Sequence, residues 1–301
     1  MNPHIFNGFK YDLRVYVLVT SFDPLRVYVY NEGLVRFATE PYTNDPKELK
    51  KKFVHLTNFS INKKSANFKV NKGDEDEEGQ NSSKWSFREL RDAFDKQNIN
   101  YDYVFAQIKD VILKTLISVE PEIVSALDSC PGNRGSCFEL YGFDILIDSD
   151  LRPWLLEVNV LPSMSSSSMF DKKVKTTLIC DVLTLVGVRG YDKKKVHEDP
   201  EFEKPVDQKS FTSSTKVPKA FKGQEKLTND EYNLIADHED EFSRKGNFSR
   251  IFPLAANVDY YEKFFLTPRY FNRILWAYLR GGTKGQELLA KVYKRVYNQN
   301  I

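Results

Sequence analysis

The stretch FELYGFDILIDSDLRPWLLEVN, residues 138–159, decides the fold. It lies in the most hydrophobic block of the chain, Cys137 to Val160, with an apolar run on each side of Asp148-Ser149-Asp150. Short runs rich in aromatic and branched residues, separated by turn formers, predict an antiparallel hairpin turning near Ser149 to Arg152. In that register Asp144 lies opposite Glu157. Side chains alternate between faces along a strand, so Asn159 joins Glu157 on one side. Leu146 and Leu155 fall on that side too. The other side collects Phe143, Ile145, Ile147, Trp154, Leu156 and Val158, an unbroken apolar set expected in the core.

Asp144, Glu157 and Asn159 then present two carboxylates and an amide oxygen from neighbouring strands. Such hard oxygen donors suit Mg²⁺, which takes one or two carboxylates together with nucleotide phosphates and water. No His and Cys grouping at ligand spacing competes for zinc. The alternative is a hairpin with one solvated face, where acids are ordinary. Leu146 and Leu155 beside the acids argue for a covered pocket instead. The arrangement depends on register, because a slip of one residue sends the three groups to different faces.

Nearer the N-terminus, YDLRVYVLVTS (Tyr11 to Ser21) reads as a strand ending at Asp23-Pro24. Arg26 to Tyr30 and Leu34 to Thr39 flank Asn31-Glu32-Gly33, a turn signal, so a meander of three strands is expected. On the first strand Lys10, Asp12 and Arg14 alternate with Leu13, Val15, Val17 and Val19. That polar stripe is either edge decoration or the lining of a nucleotide site, with Asp12 accepting from ribose hydroxyls and the cations reaching anions. Arg36, between Val35 and Phe37, is a further cation in an apolar setting. HLTNFS (His55 to Ser60) supplies short hydroxyl and amide groups, as an oxygen-binding segment or as an ordinary turn. Asn100 is placed to cap a helix whose stripe is Val104, Phe105, Ile108, Val111, Ile112 and Thr115. Lys172 to Gly187 predicts a second helix closed by its glycine.

The chain has 301 residues, 41% hydrophobic and 14% aromatic, enough for one large or two medium domains with cores. Its net charge of +2 points to no partner. Local charge says more: Lys50-Lys51-Lys52, Lys63-Lys64, Lys172-Lys173 and Lys193-Lys194-Lys195 stand against one acidic run, Asp74 to Glu78. These basic clusters are either solvated faces or a surface for an acidic partner such as a polyanionic peptide or nucleic acid. Cys130, Cys137 and Cys180 form no CxxC pair and suggest a reducing compartment. The start has no apolar signal core, and no apolar stretch is long enough to span a bilayer, so a soluble intracellular protein is expected. Residues 71 to 83 read as a polar surface loop. The organisation expected is a core over 1–189, a Lys-, Pro- and Ser-rich linker over 190–229, and a helical C-terminal extension over 230–301.

FKYDLRVYVLVTS, EGLVRFAT, HLTNFSINKKS, ELYGFDILID and PWLLEVNVLPS follow one another between about Phe6 and Val188. In these motifs the sequence resembles the tubulin tyrosine ligase-like family, and within it the polyglutamylase branch. The resemblance implies an α/β fold of α+β type: an ATP-grasp core, mainly antiparallel sheet with packed helices. It implies ATP and Mg²⁺ as cofactors, and ATP-dependent addition of free L-glutamate to glutamate side chains in the acidic C-terminal tails of tubulin. An acyl-phosphate would form on the tail carboxylate. By the same resemblance Asp144, Glu157 and Asn159 are metal ligands, and Lys10, Asp12, Thr57 and Asn58 contact ATP. Arg36, Phe59, Ser60, Lys84 and Lys175 hold the amino acid, while Arg14 and Arg36 are the catalytic pair. The implied partners are tubulin and microtubules, with neither nucleic acid nor membrane. The implied location is the cytoplasm and cytoskeleton, with the cilium, flagellum or basal body.

Members of this family carry, ahead of the FKYDLR strand, a segment with a Lys-Pro and a Ser/Gly/Arg-rich loop that covers the phosphates. Here Met1 stands just before that strand, so a fragment, a truncated gene product or an inactive relative is expected, with weak ATP binding. A glycine ligase or a tyrosine ligase of the same family is the chemical alternative. A non-catalytic tubulin-binding module is the alternative of another class.

Overall fold

The computed structural model describes residues 2–71, 82–127, 137–187, 217–223 and 226–289. Its centre is one antiparallel sheet of β1 (Ile5–Phe6), β2 (Phe9–Phe22), β3 (Leu25–Phe37), β4 (Lys84–Trp85), β5 (Glu139–Ile147), β6 (Pro153–Asn159) and β7 (Phe248–Phe252). The main path runs β4-β3-β2-β5-β6, with β1 paired to β2 and β7 to β3. The alternation read from the sequence sorts the two faces. Leu13, Val15, Val17 and Val19 of β2 join Phe143, Ile145 and Ile147 of β5 in the larger core. Covering them are α3 (Phe87–Lys96) and α4 (Tyr101–Leu127), which contribute Leu90, Phe94, Val104, Ile108 and Ile112.

Tyr16 and Leu18 of β2 point the other way, with Tyr28, Tyr30 and Leu34 of β3. They are covered by α5 (Met169–Val186) through Phe170, Val174, Leu178, Val182 and Leu185. This helix begins three residues earlier than expected, because Ser168 caps it by accepting from the Asp171 N–H at 3.1 Å. It ends at Gly187 in the left-handed conformation, φ 72°. Asn100 likewise accepts from the Tyr103 N–H at the start of α4. Because α5 covers only part of its face, the rest of that face is left to the polar residues of β2, β3, β5 and β6.

Three expectations are corrected. Asn31-Glu32-Gly33 is not a turn between two strands but an irregularity inside β3, where the pairing jumps from Val17–Val29 to Val15–Gly33. The half-buried Glu32 carboxylate explains why the chain continues: Oε1 accepts from the Gly33 N–H at 3.0 Å and from the Phe87 N–H at 2.5 Å, tying the bulge to the start of α3. A Cβ at Gly33 would lie 2.3 Å from the Phe87 ring, so this close approach requires glycine. In the 138–159 hairpin Asp144 does pair with Glu157, but the next pair is Ile145–Leu155, leaving Leu156 as a bulge. The faces of β6 therefore exchange beyond Glu157. Leu155 and Val158 pack on the core, whereas Trp154 and Leu156 are 44% and 52% exposed.

The third correction concerns the C-terminal stretch. Its helices α6 (Asn229–Ser243), α7 (Val258–Tyr261) and α8 (Tyr270–Arg280) are interrupted by β7, which pairs with β3 and so belongs to the main sheet. Thr20 Oγ1 donates to Glu241 Oε1 at 2.8 Å, and Arg26 lies 3.4 Å from Glu241 Oε2, fastening α6 to β2 and β3. A third apolar cluster joins Tyr232, Ile235, Ile274 and Leu275 with Phe221, so the last residues of the expected linker pack. The rest of that linker and most of the 71–83 loop lie outside the described residues.

Leu178 is fully buried in the α5 face. Leu178→Ala is expected to destabilise the protein by about 2–5 kcal/mol, the range for a large-to-small change in a packed core. Urea unfolding measures it; a loss under about 1 kcal/mol would show that α5 is loosely seated.

Candidate active site

Register brings the charged residues into a row across five strands. Lys84 of β4 pairs with Arg36 of β3, Arg36 with Asp12 of β2, Arg14 of β2 with Asp144 of β5, and Asp144 with Glu157 of β6. Asp12 receives Arg36 Nε at 2.6 Å and Nη2 at 2.7 Å, and the Thr57 hydroxyl donates to its Oδ2. Asp144 receives Arg14 Nε at 2.5 Å and Nη2 at 3.1 Å, and Arg36 Nη2 lies 2.7 Å from its Oδ2. The result is one buried chain, Thr57–Asp12–Arg36–Asp144–Arg14, with each charge touching the opposite sign. Among the described residues Nη1 of both arginines makes no hydrogen bond within the protein. Gly142 makes room for this packing: a Cβ there would meet Pro162 at 2.9 Å and the Arg14 Cδ at 3.1 Å.

Burial disfavours a charged Asp144, but Arg14 and Arg36 outweigh it and hold the carboxyl below the usual aspartate range. Burial opposes the charge on Arg36 too, and Asp12 and Asp144 raise its pKa nonetheless. Lys10 is pulled down by burial, against the attraction of Asp12; its Nζ donates to the His55 carbonyl at 2.8 Å.

A second cluster adjoins the row. Lys84 Nζ donates to Asp171 Oδ2 at 2.9 Å and to Ser167 Oγ at 3.1 Å, and sits 4.0 Å from the centre of the Phe59 ring. Lys175 Nζ donates to the Ser165 carbonyl at 2.5 Å and lies 3.5 Å from Asp171 Oδ1. Among the buried and nearly buried groups, Arg14, Arg36, Lys84 and Lys175 stand against Asp12, Asp144 and Asp171; exposed Glu157 evens the count and half-buried Lys10 tips it to positive. A partly dehydrated excess of positive charge draws anions.

At the β6 end Asn159 Nδ2 donates to Glu157 Oε1 at 3.1 Å and to the Gly142 carbonyl at 3.3 Å. Glu157 Oε2 and Asn159 Oδ1 accept nothing among the described residues. Asp144 uses three of its roughly four lone-pair positions. Among the described residues no group of three or more His, Cys, Asp and Glu side chains gathers for a metal. Two carboxylates and an amide oxygen nevertheless fit a hard divalent cation that completes its shell with phosphate and water.

Most of the expected residues thus fall into two clusters, joined by the register pair Arg36–Lys84 of neighbouring strands. Asn58 and Ser60 stand beside them around α2 (Phe59–Asn62) and make no side-chain hydrogen bond among the described residues; α1 (Lys52–His55) precedes Thr57. The family can now be decided. The sequence profile of the tubulin-tyrosine ligase family matches residues 1–195. The chain belongs to that family.

Its relatives include human tubulin monoglutamylase TTLL4, 38% identical over 90% of this chain and 24% of the relative. Mouse tubulin polyglutamylase TTLL5 is 35% identical over 87% of this chain and 22% of the relative. Human tubulin polyglutamylase TTLL6 is 40% identical, over 87% and 28%. The chain therefore spans about a quarter of the length of these curated relatives. The antiparallel sheet with packed helices is the ATP-grasp-like fold of the tubulin-tyrosine ligase family.

In this family member the residues that sequence reasoning missed are Asp171, Ser167, Tyr16 and Gly142. Asp171 had a signal, since it precedes Lys175 by four residues in a helix, the spacing of an ion pair. Tyr16 had none: it is a core residue whose hydroxyl is unpaired and, chiefly through burial, pushed up to about 12.

The lowered Asp144 value gives a pH dependence. A carboxyl whose folded pKa lies below its unfolded value, about 3.9, contributes stability that is present above about pH 4 and lost as pH falls through the folded value. Asp144→Asn leaves two arginines short of a counter-charge and is expected to cost about 3 kcal/mol at pH 7. That gap should begin to narrow below about pH 4 and shrink further as pH falls towards the lowered folded value. Denaturant unfolding of both proteins from pH 7 to pH 3 tests it; a gap independent of pH would contradict the assignment.

Proposed function

We propose that this chain carries the catalytic face of an ATP-dependent ligase that joins glutamate to glutamate side chains in the C-terminal tails of tubulin. The observation that carries the reading is the row itself: oxygen donors for a cation at one end, an excess of buried cations at the other, meeting at Arg36. Membership in the family and relatives named as tubulin glutamylases support glutamate over glycine or tyrosine as the amino acid added. In this reading 1–189 form the ligase core, and the stretch from 230 is a C-terminal extension joined to it through β7.

Asp144, Glu157 and Asn159 would hold Mg²⁺, which would screen the phosphates of ATP and lower the barrier to phosphoryl transfer. Lys10, Asp12, Thr57 and Asn58 hold the nucleotide. The γ-phosphate passes to the tail carboxylate, releasing ADP and leaving an acyl-phosphate. The amine of free glutamate attacks its carbonyl carbon, an amide bond forms, and phosphate departs. Lys84 and Lys175 grip a carboxylate of the incoming glutamate, with Phe59 and Ser60 beside it. Arg36 spans both clusters, and Arg14 presents Nη1 towards the oxygens on which charge develops. Holding acceptor and amine in one cleft supplies the proximity the second step needs.

The surface lysines Lys50, Lys51, Lys52, Lys63 and Lys64 are exposed around the Lys10 end of the site. They supply positive charge for an acidic tail. No helix among the described residues is long and apolar enough to cross a membrane. Tubulin as substrate would place the protein on the cytoskeleton, in the cytoplasm and in the cilium, flagellum or basal body.

The test is incorporation of labelled glutamate into microtubules by the full-length protein with ATP and Mg²⁺, with glycine and tyrosine as competing donors. Glu157→Gln should lower incorporation by about 100-fold or more, the scale of losing one preorganised charge-stabilising group, without changing the unfolding midpoint. Undiminished activity in Glu157→Gln would remove the metal assignment. Incorporation of glycine in preference to glutamate would replace the substrate.

A further inference from the structure

Asp171 has no role so far, yet it is among the least exposed charged residues in the chain, at 1%. It sits in the first turn of α5, where its own N–H is capped by Ser168. Oδ2 accepts from Lys84 Nζ at 2.9 Å, from the Ser167 N–H at 3.2 Å and from Ser167 Oγ at 3.0 Å. Oδ1 is buried without a hydrogen bond, its nearest charge being Lys175 Nζ at 3.5 Å. One carboxylate thus stands between two buried ammoniums from β4 and α5.

We propose that Asp171 is a positioning residue of the amino-acid subsite: it holds Lys84 and Lys175 at the spacing from which both grip the carboxylate of the incoming amino acid. This rests on the reading of that subsite given above. An ammonium has three donors. Lys84 commits two, to Asp171 and Ser167, with the Phe59 ring centre 4.0 Å from its Nζ. Lys175 commits one, to the Ser165 carbonyl, and faces Asp171 more loosely. Each keeps a donor for a ligand, and the pair of ammoniums with a single carboxylate is one negative charge short of neutral. Fully buried behind the two lysines, Asp171 acts on the ligand through them.

Its charge matters as much as its shape. Burial lowers the pKa of Lys175 and the neighbouring Lys84 lowers it further, while Asp171 opposes both. Without that carboxylate the two ammoniums repel across a poorly screened gap and Lys175 releases its proton more readily. Asp171→Asn preserves the size and an acceptor for the Ser167 N–H while removing the charge.

The experiment uses the full-length protein and L-glutamate, with binding measured by calorimetry and steady-state constants measured separately for glutamate and ATP. Asp171→Asn is expected to raise the Kd and KM for glutamate by about tenfold or more, the scale of a charge-assisted hydrogen bond, with the KM for ATP within about twofold. The alkaline limb of kcat/KM for glutamate should move to lower pH. In a Lys175→Met background the same change should cost much less, because one carboxylate no longer separates two ammoniums. Additive costs, or glutamate and ATP constants rising together, would mark Asp171 as merely structural. If Asp171→Asn does not fold, Ser167→Ala carries the test: it removes a neutral contact to both Lys84 and Asp171, and an unchanged glutamate Kd overturns the proposal. Wild-type protein that binds glutamate with Asp171→Asn unaltered overturns this inference alone. Wild-type protein that binds no glutamate overturns the subsite as well.

Discussion

The alternating chain of buried charges from Thr57 through Asp12, Arg36 and Asp144 to Arg14 is the constraint on which the site depends. Asp12–Arg36 and Asp144–Arg14 join neighbouring strands, Arg36–Asp144 reaches from β3 across β2 to β5, and Thr57 joins from the segment between α1 and α2, so the chain forms in one register only. Buried charges are tolerated because every one has an opposite partner at hydrogen-bond distance. Such a chain adds little net stability over an apolar core of the same volume, but it penalises every alternative pairing of β2, β3 and β5. Strand register and site geometry are therefore a single property. The same chain holds the arginine side chains still, with their spare donors already oriented before any ligand arrives.

The division of the second sheet face follows from α5. Where Leu178, Val182 and Leu185 lie on Tyr16, Leu18 and Tyr30, the face is core. Where the helix begins, its first two turns bring Asp171 and Lys175 to the edge of the charged row. A single helix thus closes a core at one end and contributes two charged groups to the site at the other. The opposite end of the sheet is fastened by α6 and β7 through Thr20, Arg26 and Glu241. That places the C-terminal stretch well away from the charged row and gives it a part in the rigidity of β2 and β3.

Much of this was legible in the sequence, because side-chain alternation is a local rule. Lys10, Asp12 and Arg14 against Leu13, Val15 and Val17 could be sorted without knowing any partner strand, and the pairing of Asp144 with Glu157 followed from a short turn. The helices at Tyr101 and Met169 announced themselves through apolar spacing, Asn100 and Gly187. The family motifs named most of the residues now found in the two clusters.

What only the tertiary structure decided shares one physical cause: contacts between residues far apart in sequence. The bulge at Leu156 moves Trp154 out of the core and Leu155 into it, and a bulge depends on what both strands pack against. Asn31-Glu32-Gly33 has the composition of a turn, yet Glu32 binds the start of α3, fifty-five residues on, and the strand runs through. Asp171 lies eighty-seven residues from Lys84, and nothing local to either announces the pair. By itself the sequence determined which residues of β2 and β5 share a face and which family the chain belongs to. The packed structure decided which of those residues touch, because burial leaves each charge only the partner that the neighbouring strand or helix brings to it.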